Sequence, residues 1–426
     1  MSNGIDQTGM PGGYGTLLRL AGEISRESRL DGLLVRILER SRGWIQAEAC
    51  SIFLPDPQTE ELVIHSARGD SALVLGTLRI PKGAGIVGCA MQEKRMIRVD
   101  DVDKDPRFFS KADKQTGWKT RAVLTAPLLD GEECLGVIQF LNPVGRPAFT
   151  TQDEEMMEYF AGLVAAALVR IRASQAALER AQIQRDLDLA RQMQAGLLPG
   201  VFPNREQSPE IEIHALLDPA KEVSGDLYDF FPVGDREYAF VVGDVSGKGV
   251  AAGLFMAVTR TLIRAITVPG RPPAEILQRV NTLLCAENPA NLFVTLIVGR
   301  VDTRTGRVVY GQGGHNPPVR ITAGGSPALE PPGGIPLGMF EEAEFGQQEL
   351  ELRPGDALVV YTDGVTEAMD PQQALFGEER LLAVAGEQGG AGAESLNRAV
   401  VESVRRFARG AEQSDDITLL TLRRLG

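Results

Sequence analysis

Histidine and cysteine are scarce in this chain, with three of the first and four of the second among 426 residues. Cys50, Cys89, Cys134 and Cys285 lie far apart and form no C-x-x-C pair, which argues against a disulfide framework or a zinc ribbon and fits a reducing compartment. His65, His214 and His315 are equally remote, so a histidine-based zinc site would need a coincidence. Basic charge is also in deficit. A formal net charge of -13 supplies no patch to neutralise phosphates and argues against nucleic acid as a partner. No apolar run approaches the ~18 residues of a membrane span, and Met1-Ser2-Asn3-Gly4-Ile5-Asp6 has neither the basic nor the apolar region of a signal peptide. A cytoplasmic protein with no membrane segment is therefore expected. What is present is an ordinary globular composition, 43% hydrophobic and 24% charged, in a chain long enough for two domains and a connector.

Residues 1–16 are Gly-rich and are expected to be flexible. Apolar residues then recur at helical spacing (Leu17, Leu20, Ile24, Leu33, Leu34, Ile37, Leu38), which predicts one amphipathic helix or a pair. Strand-like runs follow at 49–54, 62–66, 78–80, 97–99, 122–129 and 135–141, with turns at Pro55-Asp56-Pro57 and Asp130-Gly131. From Thr151 to Leu198 there is no proline and little glycine, so a near-continuous helix is predicted until Pro199, opened by Thr150 or Thr151 and favoured by Asp153 and Glu154. Val164, Leu168, Ile171 and Leu178 mark one apolar seam on it, and Ile183, Leu187, Ala190 and Leu197 another in shifted phase, interrupted at Gln175 and Arg185. A coiled-coil-like connector in a homodimer is the expectation. Beyond Pro199 the texture turns strand-rich, at 211–217, 226–231, 238–243, 292–301, 308–311, 319–322, 347–352, 357–362 and 417–423, with helices at 253–266, 274–286 and 394–408. Both halves read as α+β, antiparallel sheets covered by helices.

Four aspartate-bearing segments carry the chemistry: Gly225-Asp226-Leu227-Tyr228-Asp229, Gly243-Asp244-Val245-Ser246-Gly247-Lys248-Gly249, Tyr361-Thr362-Asp363-Gly364 and Ser414-Asp415-Asp416-Ile417-Thr418. Each lies at an end of a strand-like run. A single Gly-Asp there is ordinarily a turn residue. Here the short link Val233-Gly234-Asp235 makes a hairpin that sets Asp226 beside Asp244, while Asp363 closes another strand and Asp415 opens the last. Carboxylates gathered from such distances repel and lose hydration unless a cation lies between them. Oxygen ligands without Cys or His select Mg²⁺ or Mn²⁺. Two such ions held roughly 3.5–4 Å apart can turn water into a nucleophile for in-line attack at phosphorus. The glycines allow tight turns, and the Val245-Ser246 backbone or hydroxyl is a further candidate donor. Tyr228 and Phe230 read as core, and His315 in Gly314-His315-Asn316-Pro317-Pro318 as either substrate-facing or loop-ordering.

With these segments and Leu189-Ala190-Arg191-Gln192-Met193-Gln194 to Leu197-Leu198-Pro199, residues 200–426 resemble PP2C-type serine/threonine phosphatases of the SpoIIE and RsbU-like branch. The resemblance implies an αββα sandwich with two Mn²⁺ or Mg²⁺ ions. Asp244 would bridge them, Asp226 would bind one, Asp363 and Asp415 the other, and the Val245 backbone oxygen would also be a ligand. Ser224 replaces the glycine most common at its place, a change that is not expected to touch a ligand. The implied substrate is a phosphoserine or phosphothreonine on an anti-sigma-factor antagonist-like protein. Lys221 and Lys248 are weak candidates for gripping phosphate. An inactive signalling adaptor and, with less support, a nucleotide cyclase are the competing readings.

Residues 17–170 resemble a GAF sensor domain through the Gly-rich turn with Val99-Asp100-Asp101-Val102, the Ala126-Pro127-Leu128 strand and Leu135-Gly136-Val137-Ile138-Gln139. Asn142, Phe149, Asp153 and Glu154 echo the pattern of cyclic-nucleotide GAF domains, but Pro143 stands where that pattern has Lys. A small-molecule ligand there, or dimerisation alone, is implied. Gly83-Ala84-Gly85-Ile86-Val87-Gly88 matches the dinucleotide pattern in the wrong context and reads as a helix-opening turn. The helical linker is placed at 171–199, and its end is expected to dock on the Asp363 side of the site.

Overall fold

Side chains along β1 (Ala47–Pro55) alternate between two cores, and this alternation organises the first unit. The computed structural model describes residues 30–68, 79–110, 113–114, 118–203, 208–286 and 288–426. Residues 1–16, the apolar positions Leu17, Leu20 and Ile24, and Leu78 fall outside them. The chain divides into two compact units between Ala181 and Gln182.

In the first unit α1 (Leu30–Ile45) precedes β1, β2 (Leu62–Arg68) and β3 (Arg79–Ile80). Next come α2 (Gly85–Glu93), β4 (Ile97–Val99), β5 (Val123–Asp130), β6 (Glu133–Pro143) and α3 (Thr151–Leu197). The strands form one antiparallel sheet in the order β3-β2-β1-β6-β5-β4. Cys50, Ile52 and Leu54 meet Leu34, Ile37 and Leu38 of α1 and Met157, Phe160, Val164 and Leu168 of α3. Phe53 points the other way, into a core with Ile86, Val87 and Ala90 of α2. The dinucleotide-like glycines open α2: Gly83 and Gly85 have φ of 75° and 69°, and a Cβ on Gly88 would lie 2.6 Å from the Gly83 carbonyl carbon.

α3 runs unbroken for 47 residues, about 70 Å at the usual rise. An 18-residue window in it has mean hydropathy 1.3, enough by length and composition to cross a membrane, which corrects the expectation that no such run exists. Its apolar character has a local cause, since Met157, Phe160, Val164, Leu168 and Ile171 are all buried against the sheet. Residues Arg172 to Arg180 are all exposed.

The second unit is a sandwich of two five-stranded antiparallel sheets. One has the order β14-β11-β10-β9-β8 and contains β8 (Leu227–Gly234), β9 (Glu237–Val245), β10 (Val294–Asp302), β11 (Arg307–Gly313) and β14 (Gln347–Glu351). The other has the order β13-β12-β15-β16-β7 and contains β7 (Ile211–Asp218), β12 (Val319–Ile321), β13 (Pro327–Leu329), β15 (Ala357–Tyr361) and β16 (Ile417–Arg424). Phe240, Val242 and Ile297 meet Leu358, Val360, Leu420 and Leu422 between the sheets. Residues of opposite parity, Val241, Leu296 and Val298, pack outward on α4 (Val250–Ile266) and α5 (Pro273–Ala286). The second sheet is covered by α6 (Gly377–Glu387) and α7 (Ala393–Ala408), which bury Leu381, Leu396 and Val400. The result is the expected αββα layering. α6 and β13 have no counterpart in the sequence reading. α6 starts on a glycine with φ 78° and spans only 11 residues, and β13 is a three-residue edge strand opening on proline.

Candidate active site

Strand register brings the acidic strand ends together. The last pair of the β8–β9 ladder is Leu227 opposite Gly243, so one step further Asp226 faces Asp244. In the other sheet Tyr361 pairs with Leu419, and the ladder continues as Thr362 N–H donating to Thr418 O at 3.1 Å. Asp363 and Asp415 therefore leave the same end of neighbouring strands. Hydroxyls stitch the two rims across the sandwich: Thr362 Oγ1 and Thr418 Oγ1 donate to Asp226 Oδ2 at 2.8 and 2.5 Å. Alternation on β8 separates the two motif aspartates. Asp229 faces α4 instead, where Arg264 grips it through two bonds of 2.6 and 2.7 Å and Arg260 Nε stands 2.9 Å away. Tyr228 and Phe230 are buried core, as expected.

The electrostatics record how crowded the negative charge is. Burial, then the charge of Asp244, pushes the Asp226 carboxyl well above its usual range, against the two threonine hydroxyls. Asp244 is pushed up to about 7, first by burial and then by Asp363, with Asp415 and Asp416 adding to it and a hydrogen bond from Asp226 opposing. Asp363 rises to about 6 through burial, Glu367 and Asp415, while the Gly364 N–H and Lys248 pull it down. Asp244 thus feels both rims, with Asp226 on one side and Asp363 and Asp415 on the other. The Val245 oxygen belongs to the same rim: a Cβ on Gly225 would lie 2.8 Å from it and 3.5 Å from Asp244 Oδ1. Only glycine lets the two segments approach so closely.

Supporting residues were the less legible part. Asp416 Oδ2 accepts from Ser224 Oγ at 2.6 Å and Gly225 N at 3.0 Å, and its Oδ1 accepts from Ala220 N at 2.7 Å, so it clamps the loop leading to Asp226. Ser224 is not the bystander expected, since its Oγ also accepts from Asp226 N at 3.0 Å. Gln194 near the end of α3 donates to Ser224 O at 2.6 Å and accepts from Ser224 N at 2.9 Å. The helix end therefore docks on the Asp226 side, not the Asp363 side, because the amide that fastens it meets the 223–226 loop. His315 is buried beside Thr295 Oγ1 at 2.8 Å, and burial lowers its pKa to about 4, so it stays neutral and orders the loop. Ser246 Oγ is occupied by Phe293 N at 2.9 Å.

The donor set, all hard oxygen in a field of mutual repulsion, fits divalent cations of the Mg²⁺ or Mn²⁺ kind. As the side chains stand, no group of three acidic, histidine or cysteine residues among the described residues is arranged to hold a metal ion. Asp226 is turned to the two threonines and Asp415 to Lys248, whose Nζ is 3.0 Å from Asp415 Oδ2.

In the first unit the cyclic-nucleotide-like residues brace the scaffold. Asn142 Oδ1 accepts from Arg121 N at 2.7 Å and its amide donates to Glu48 at 2.8 Å, and Arg146 reaches Asp153 at 2.8 Å, supplying a cation where Pro143 offers none. The cavity between the sheet and α2, about 60 Å³, is lined elsewhere, by Phe53, Ile64, Ile86, Phe108, Phe109 and Gln139 among others.

Two antiparallel sheets between helix pairs, with acidic strand ends gathered at one rim, define the PP2C class of phosphatase fold. The chain carries a GAF domain and, after it, a PP2C-type phosphatase domain of the SpoIIE kind. The family model for Stage II sporulation protein E matches residues 234–425, and that for the GAF domain residues 29–168. The chain is similar to protein IcfG of Synechocystis, 31% identical over 267 residues that make up 56% of this chain and 41% of that protein. It is also similar to the phosphoserine phosphatase RsbU of Bacillus subtilis, 26% identical over 57% of this chain and 71% of RsbU. Among solved structures, the SiaA-PP2C domain of Pseudomonas aeruginosa matches with a TM-score of 0.51 and 22% identity, over 58% of this chain and 99% of that one, a likeness of fold.

Proposed function

We propose that this protein is a metal-dependent phosphatase for phosphoserine or phosphothreonine on a bacterial regulatory protein, under control of its GAF domain. The carrying observation is the gathering of Asp226, Asp244, Asp363 and Asp415 at the strand ends of one rim, where burial and neighbouring carboxylates raise the pKa of Asp226, Asp244 and Asp363. Asp244 would be shared by the two ions, Asp226 would hold one, Asp363 and Asp415 the other, and the Val245 oxygen would be a backbone ligand. Two bound Mn²⁺ or Mg²⁺ ions would supply Lewis acidity to a phosphoryl oxygen and to water. The chain's own part is to hold its carboxylates in register. Thr362 and Thr418 fix Asp226, and Asp416 with Ser224 fixes the loop behind it.

Likeness to a phosphoserine phosphatase, RsbU, supports an anti-sigma-factor antagonist-like phosphoprotein as substrate. A small molecule in the GAF cavity is the proposed signal, and the cytoplasm the proposed compartment. Exposed Leu178, Ile183, Leu189 and Met193 on α3 support a homodimer joined along that helix. Replacing Asp244→Asn should reduce Mn²⁺-dependent phosphate release from a seryl-phosphoprotein, or from an aryl phosphate, to background. Full activity in that variant overturns the mechanism, and a wild-type protein that binds Mn²⁺ without releasing phosphate points instead to an adaptor.

A further inference from the structure

Lys248 stands between two glycines, Gly247 and Gly249, whose φ of 86° and 80° turn the chain back toward the acidic rim. Its Nζ lies 3.0 Å from Asp415 Oδ2 and 2.5 Å from the Ser414 carbonyl oxygen. The other oxygen of Asp415 accepts from Asp416 N at 3.0 Å. Both oxygens of this carboxylate are therefore engaged by groups of the same chain. Lys248 and Asp415 each keep about two fifths of their side-chain surface in solvent, 41% and 40%. An ion pair so exposed is weak and exchangeable, unlike one sealed in a core.

On the metal-centre reading above, we propose that Lys248 is a tethered counter-cation: its ammonium occupies Asp415 in the metal-free protein, and an arriving divalent ion must displace it. Three observations converge on this. The ammonium is the one positive group bonded to any of the four clustered aspartates among the described residues, it sits on the carboxylate assigned to the second ion, and the glycines on either side let it swing away. It lessens repulsion within the cluster when no ion is present and sets a threshold on ion binding when one is. Lys248 is thus a positioning residue that acts through Asp415.

The test is Mn²⁺ titration of the full chain after chelation, read as the loss of the free-ion electron paramagnetic resonance signal. Lys248→Met should bind the more weakly held ion roughly 2- to 5-fold more tightly than wild type, the upper part of the range an exposed ion pair commands. Lys248→Arg, which keeps the charge, should bind as wild type does. In an Asp415→Asn background the gain from Lys248→Met should vanish. Unchanged or weaker Mn²⁺ binding by Lys248→Met overturns the counter-cation role while leaving the metal centre standing. If wild type takes up no Mn²⁺, or Asp244→Asn takes up as much as wild type, the metal reading fails and this inference falls with it.

Discussion

Asp416 is the fulcrum of the site although it is assigned no ion. Three donors from the 220–225 loop converge on its carboxylate, which is only 8% exposed. Removing it leaves those donors facing a low-dielectric space, at about 1–3 kcal/mol for each group that finds no new partner. Asp416→Ala should accordingly lower unfolding stability by ~3 kcal/mol, read as a shift of the urea midpoint, and should weaken metal-dependent activity as the Asp226 loop loosens. The four clustered aspartates were legible beforehand because each followed a glycine or hydroxyl residue at the end of an apolar strand. Thr362, Thr418 and Ser224 were not, because hydroxyl residues are ordinary in strands and turns. Only the register that lays one rim over the other reveals what they bond.

Among the elements, α3 is the one whose end is fastened to the loop behind Asp226. Its length followed from the lack of proline between Thr151 and Leu198, but its docking side did not, because helix pattern fixes a face and not the loop that face will meet. Gln194 settles the contact through both amide atoms, and Gly253 of α4 keeps room for it, since a Cβ there would collide with Val223 and press on Gln194 at 3.3 Å. Any shift of α3 along its axis must therefore pass to Ser224 and then to Asp226 N. Gln194→Ala should leave the sandwich folded, cost about 1–2 kcal/mol, and raise the Mn²⁺ concentration needed for half-maximal phosphate release. An unaltered Mn²⁺ requirement would deny the latch a part in the site. α6 escaped the sequence reading for the opposite reason: its 11 residues are bounded by glycines at 377, 386 and 389, which read as turn signals.

At the scale of the whole chain, each unit closes its own cores, one around the six-stranded sheet and one between the paired sheets. A fragment of residues 182–426 should fold alone and retain Mn²⁺-dependent hydrolysis. Cooperative thermal unfolding followed by circular dichroism, with activity on an aryl phosphate, would check it; a fragment without a cooperative transition would show that the units depend on each other. The strand-rich second half was legible as a change of texture at Pro199, whereas the apolar stretch of α3, uncharged from Tyr159 to Val169, was read only as part of a long helix.

β16 lies between β15 and β7, and among the described residues β7 has no other strand beside it. While a nascent chain is still on the ribosome and residues 415–424 have yet to emerge, β7 stays unpaired and Asp226 lacks both Thr418 and the Asp416 clamp. Synthesis thus imposes its own timing: the acidic rim stays incomplete in every partly made copy, and β7 remains an unpaired strand until the last segment emerges.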